Sequence, residues 1–193
     1  MLRRVMETLP TVLNAAIWYI VFVFSATIHE AAHAWAAFRL GDPTAWSGGQ
    51  VSLDPMPHIR REPFGMILLP LASMFLYYQR IPIGFASTPY DPIWADHHPR
   101  RAGLMALAGP LSNLAILIVC TLILFVGAAV GALSHPPHPS PEILALPVEE
   151  GVWNAVAPVL SRLASMNLIL VVLNLIPVPP LDGHTAICAF LPE

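Results

Sequence analysis

The chain alternates long apolar stretches with polar, proline-rich connections. Val12 to Ile28 is almost wholly apolar, interrupted by Asn14 and Ser25, and Ala31 to Leu40 extends the run. Crossing the hydrocarbon core of a bilayer takes about 20 helical residues, so this stretch predicts a helix long enough to cross and emerge. Thr8 or Thr11 can cap it, Pro10 suits its first turn, and Gly41-Asp42-Pro43 stops it. Leu104 to Leu133 and Val152 to Ile176 predict two further spans. Phe64 to Tyr78 is apolar but short, with Pro70 in its middle, and predicts a segment that enters and returns near Pro70, or lies along the inner surface. Between Thr44 and Pro63, Gln50-Val51-Ser52-Leu53-Asp54 alternates polar and apolar positions and predicts a short strand. The expected fold is an all-α integral membrane protein. It has three core transmembrane helices (about 11–40, 104–133 and 152–176), a re-entrant segment over 64–78 and a short strand-containing loop, in one domain over 1–193.

Composition sharpens this picture. Only 11% of the 193 residues are charged and 56% are hydrophobic, whereas soluble domains carry about a quarter charged residues. A multi-pass protein in a lipid bilayer follows. All nine basic residues are arginines, and no basic patch points to nucleic acid. Cys120 and Cys188 lie in apolar segments without metal-ligand spacing and read as small buried hydrophobes. Arg3 and Arg4 before an apolar run resemble a secretory leader, but the run is too long for a leader's core and reads as a retained helix.

Candidate chemistry sits where polar groups interrupt the apolar runs. His29-Glu30-Ala31-Ala32-His33 reads H-E-x-x-H within the first span. Residues four apart lie one turn apart on a helix, so His29 and His33 can bring two imidazoles to one metal ion. Glu30 falls beside them, where a carboxylate can take a proton from a water that the metal activates. Three ionisable groups placed in hydrocarbon without a function would be costly. Two histidines need a third protein ligand. The last span ends in Asn174-Leu175-Ile176-Pro177-Val178-Pro179-Pro180-Leu181-Asp182-Gly183, whose prolines unwind the helix end and free Asp182 to point inward. By contrast, His97-His98 before a proline, and His135 and His138 in the loop Ser134 to Glu150, read as solvated loop residues.

Three motifs together resemble the site-2 protease family of intramembrane zinc metalloproteases, in its short prokaryotic branch. They are His29 to His33, Gly109-Pro110-Leu111-Ser112-Asn113, and Asn174 through Asp182-Gly183. The resemblance implies one zinc ion per chain held by His29, His33 and Asp182. It implies Glu30 as the general base, and Asn174 as a residue that contacts substrate or stabilises the oxyanion. Asn113 matches a motif position of structural role. The implied function is hydrolysis of peptide bonds in or near transmembrane helices of other membrane proteins, in regulated intramembrane proteolysis. Within 193 residues there is no room for the PDZ or CBS domains that some members carry. Relatives often continue into another helix past the position of Glu193, which leaves open a chain truncated at its C-terminus. The alternatives are a non-proteolytic zinc-binding scaffold, or another membrane zinc protease whose third ligand is a glutamate after the second span, where Glu142, Glu149 and Glu150 lie.

Topology follows from parity. The histidines lie toward the C-terminal end of the first span, and Asp182 just past the end of the last. One zinc ion can touch all three only if an even number of crossings separates Leu40 from Asp182, so Phe64 to Tyr78 is expected not to cross. Arg39, Arg60, Arg61, Arg80, Arg100 and Arg101 then share one side, while the loop Ser134 to Glu150 has no arginine. The positive-inside rule puts the active-site end in the cytoplasm, with Arg3 and Arg4 as exceptions.

Overall fold

The structure, a computed structural model, describes residues 2–76 and 81–190, with the backbone alone for 2–11. Helix α1 spans Leu2–Leu40. It begins earlier than a cap at Thr8 or Thr11 would place it, because Leu2 to Glu7 are mostly good helix formers. Within it, Val12–Leu40 is long and apolar enough to cross a membrane, as are α6 (Pro99–Ala129) and α7 (Trp153–Asn174). Short helices α2 (Thr44–Ser47), α3 (Pro55–Arg61), α4 (Leu69–Leu76) and α5 (Pro92–His97) fill the connection between α1 and α6, and α8 (Asp182–Ala186) follows α7.

The three long helices form a bundle whose directions can be read from its contacts. His33 meets Met105 and His29 meets Asn113, so α6 runs antiparallel to α1. Arg162 meets Asn14 and Asn167 meets Ser25, so α7 runs parallel to α1. Two crossings therefore separate the C-terminal ends of α1 and α7, as parity requires. Trp18, Val21, Phe22, Ala26, Met66 and Met166 form the main core cluster. Outward faces stay apolar at Ile20, Phe24, Ile118, Leu122, Phe125 and Val172, which in a soluble protein would be a liability and in a bilayer face acyl chains.

The short apolar segment is a π-helical turn, Phe64–Leu68, that continues into α4. At 1.5 Å per residue its 13 residues reach about 20 Å, short of the roughly 30 Å hydrocarbon core. The expected turn at Pro70 is not made. Pro70 lacks the N–H that would satisfy the Met66 carbonyl, but the Tyr19 hydroxyl donates to that carbonyl at 3.1 Å, so the helix passes through the proline. The return comes later. Ile83 N–H donates to Ser73 Oγ (3.0 Å) and Phe85 N–H to the Gly65 carbonyl (3.1 Å), so the chain comes back antiparallel along the helix it has just made. Tyr77 and Tyr78, the last residues of the expected segment, and Arg80 lie outside the described residues.

The expected strand over Gln50 to Leu53 is not formed. Gln50 N–H donates to the Ala45 carbonyl, Asp54 N–H to Ser52 Oγ, and His58 bonds to the Ser52 carbonyl at 3.0 Å. These local bonds make successive turns and leave no extended edge. The strands that do form, β1 (Leu133–Ser134) and β2 (Leu146–Pro147), pair antiparallel in the connection between α6 and α7. That connection is pinned to the bundle by a part-buried polar cluster that no local sequence pattern announces. Arg162 donates to Asn14 and to the Glu142 and Pro158 carbonyls, lies 3.6 Å from the Glu142 carboxylate, and packs over the Trp18 ring.

Candidate metal centre

Helix α1 sets His29 and His33 one turn apart, with their Nε2 atoms 2.9 Å from each other and their rings edge to face. Both are buried. Asp182 Oδ2 lies 3.0 Å from His29 Nε2 and 3.3 Å from His33 Nε2. One ligand atom from each residue falls within 4.8 Å of the others, and among the described residues this is the one such group of three metal-ligating side chains. His97, His98, His135 and His138 are not part of it. Burial alone would raise the Asp182 pKa, but hydrogen bonds from His29 and His33 outweigh it and hold the carboxyl well below the usual range.

Two glycines make the convergence possible. A Cβ on Gly183 would stand 2.5 Å from the carbonyl oxygens of both Leu175 and Ile176, so only glycine lets the chain fold back beneath the end of α7 and deliver Asp182. A Cβ on Gly109 of α6 would stand 2.3 Å from His33 Nε2 and 2.6 Å from His29 Nε2. Gly109 therefore keeps open the space between α6 and the two imidazoles. The donor set of two imidazoles and one carboxylate, with this cradle beside it, suits a catalytic zinc ion that keeps one position free. His33 Nδ1 lies 2.8 Å from the Met105 carbonyl, the kind of partner that would place the imidazole proton on Nδ1 and leave Nε2 able to ligate a metal.

Glu30 is buried beside the histidines and lines a cavity of about 170 Å³ together with His33, Thr88, Tyr90, Asp182 and Thr185. The Thr88 hydroxyl is 2.7 Å from Glu30 Oε2 and 2.9 Å from the Glu30 carbonyl. Thr88 belongs to the extended segment 81–90, which crosses the site as a strap. Its neighbour Ser87 donates to Glu62 Oε1 (2.6 Å) and accepts from Arg61 (3.1 Å), and Asp91 N–H donates to Asp42 Oδ2 (2.8 Å). Sequence reasoning missed Thr88, since one threonine in a proline-rich loop carries no spacing signal. Asn174 ends α7, half-buried, and is not among the residues lining the cavity. Glu142 pairs with Asn14, Trp18 and Arg162 instead of approaching the histidines. Asn14 precedes His29 by 15 positions, or about 22 Å of helix, so the alternative with a glutamate from that loop as third ligand fails at Glu142.

Residues 17–193 match the model of peptidase family M50. The chain is 33% identical over 174 residues to the Bacillus subtilis (strain 168) protein named "Putative zinc metalloprotease YwhC", covering 90% of this chain and 68% of that protein. It is 32% identical over 184 residues to the Mycobacterium tuberculosis protein named "Putative zinc metalloprotease Rip2", covering 94% of this chain and 61% of that one. A Mycolicibacterium smegmatis protein of the same name is 26% identical over 169 residues, covering 86% of this chain and 54% of that one. The chain thus spans about two thirds or less of the length of these relatives. No solved structure matches it significantly.

Proposed function

The chain belongs to peptidase family M50, the site-2 type of zinc metalloprotease, and on that premise we propose that it hydrolyses peptide bonds in or near the transmembrane helices of other membrane proteins. The observation that carries the reading is the meeting of His29, His33 and Asp182 at the edge of the cavity that Glu30 lines. His29, His33 and Asp182 would hold the zinc ion. Zinc, when bound, supplies Lewis acidity toward the scissile carbonyl and toward water.

The chain's own residues do the rest. Glu30 takes the proton of the attacking water and passes it to the leaving amine. Thr88 holds one carboxylate oxygen of Glu30, 2.7 Å from its hydroxyl, and so orients the carboxylate. Burial of Glu30 excludes bulk water from that carboxylate. Asn174, by the family resemblance, contacts the substrate or its oxyanion. A helix hides its peptide bonds in its own hydrogen bonds, so the substrate must unwind locally before its backbone reaches Glu30. Gln50 to Leu53 is turned rather than extended and offers no strand edge to such an unwound segment.

The protein's setting completes the proposal. Phe64–Leu76 enters the membrane from the site end and returns. Arg39, Arg60, Arg61, Arg100 and Arg101 lie at or between elements of that end, so the positive-inside rule turns it toward the cytoplasm of a prokaryotic cell. The test is cleavage of single-span membrane proteins in reconstituted vesicles. Wild-type protein should cut a candidate substrate, and Glu30→Gln should lower the rate by at least about 100-fold. Equal cleavage by both proteins would overturn the proposal.

A further inference from the structure

His29 has a second ring nitrogen, and what it faces decides whether Nε2 is available. The Nδ1 atom of His29 lies 3.0 Å from Nδ2 of Asn113, a side chain wholly buried on α6. An amide N–H donating to Nδ1 forces the imidazole proton onto Nε2, the atom that must offer its lone pair to a metal. His33 has no such conflict, since its Nδ1 faces a carbonyl. The amide oxygen of Asn113 is meanwhile buried with no hydrogen-bond partner. The two ends of an asparagine amide are told apart only by their hydrogen-bond partners, and one rotation of the amide by 180° exchanges them. Oδ1 then accepts from Nδ1–H of His29, and Nε2 is left with its lone pair facing His33 and Asp182.

We propose that Asn113 is a positioning residue that selects the tautomer of His29 by accepting a hydrogen bond from its Nδ1–H, and so sets the affinity of the site for zinc. Asn113 does not touch the metal or the substrate. It acts as the carboxylate or carbonyl acceptors behind ligating histidines do, whose removal costs 10–100-fold in metal affinity. The pairing spans α1 and α6, so it also ties the geometry of the site to the packing of these helices. The proposal rests on the zinc reading of His29, His33 and Asp182.

The experiment is a zinc titration of the full chain in detergent against a competing chelator, for wild type, Asp182→Ala, Asn113→Asp and Asn113→Leu. Aspartate at 113 can accept but not donate when ionised, so Asn113→Asp should keep zinc affinity within a few-fold of wild type. Asn113→Leu has similar volume and no acceptor, and should bind zinc about 10–100-fold more weakly. If Asn113→Leu does not fold, Asn113→Asp decides alone, because a donor role for Asn113 predicts weakened binding there and an acceptor role predicts retained binding. Wild-type affinity in Asn113→Leu, or a tenfold loss in Asn113→Asp, overturns the proposal while leaving the zinc site standing. Absence of zinc binding by the wild type, or full affinity in Asp182→Ala, overturns the ligand set itself and this proposal with it.

Discussion

At the scale of single residues, the site depends on what is missing as much as on what is present. Gly109 leaves a gap that a methyl group would fill at 2.3 Å from His33 Nε2. Gly109→Ala should therefore weaken zinc binding at least about tenfold, while overpacking costs about 1–3 kcal/mol of fold stability. Chelator competition and thermal unfolding, read on the same sample, separate the two effects; unchanged zinc affinity would show that the cradle is not needed. The convergence of His29, His33 and Asp182 was legible in the sequence. The four-residue spacing of His29 and His33 is a helix property, their cost in hydrocarbon demands a use, and the prolines before Asp182 announce a broken helix end. Thr88 and the partner of Asn113 were not legible, because both contacts join residues 58 and 84 positions apart and no local pattern records them.

At the scale of elements, the strap over 81–90 is held at its far end by Asp42, which accepts from Thr44 N–H (2.9 Å), Thr44 Oγ1 (2.5 Å) and Asp91 N–H (2.8 Å). Burial pushes the Asp42 pKa up, but these three donors outweigh it and set the carboxyl below its usual value. A depressed folded pKa adds stability that is complete above the unfolded value of about 3.9 and is lost as pH falls through the folded value. Asp42→Asn turns an amide donor toward the Thr44 or the Asp91 donors, and should cost about 1–3 kcal/mol at pH 7. Thermal unfolding of both proteins should show the gap closing below about pH 4; a gap independent of pH would contradict the role of the ionised carboxylate. Elements were read with uneven success for a physical reason. Long apolar runs in α1, α6 and α7 are set by burial in lipid, and their bounds were close. The alternation at Gln50 to Leu53 is too short to outweigh the side-chain bonds of Ser52 and Asp54, and Pro70 failed to break its helix because Tyr19, from another element, satisfied the carbonyl it leaves bare.

At the scale of the whole molecule, α1 and α7 point the same way and α6 the other, and this places His29, His33 and Asp182 at one end. The opposite end is closed by Arg162, Glu142 and Asn14, which hold the α6–α7 connection against α1. Single cysteines at Met56, Ile93 and Val148, all exposed, placed in a background lacking Cys120 and Cys188, test the topology with an impermeant thiol reagent. Met56→Cys and Ile93→Cys should be labelled from one face of a sealed vesicle, and Val148→Cys from the other. Labelling of the first two from opposite faces would mean that Phe64–Leu76 crosses and that Asp182 cannot reach the histidines from the same side. The most direct test of the whole account is the zinc content of purified chains. Wild type and Glu30→Gln should each hold about one zinc ion per chain, and Asp182→Ala should hold little or none. One zinc ion per chain in Asp182→Ala, or its loss in Glu30→Gln, would contradict the assignment of ligands and base.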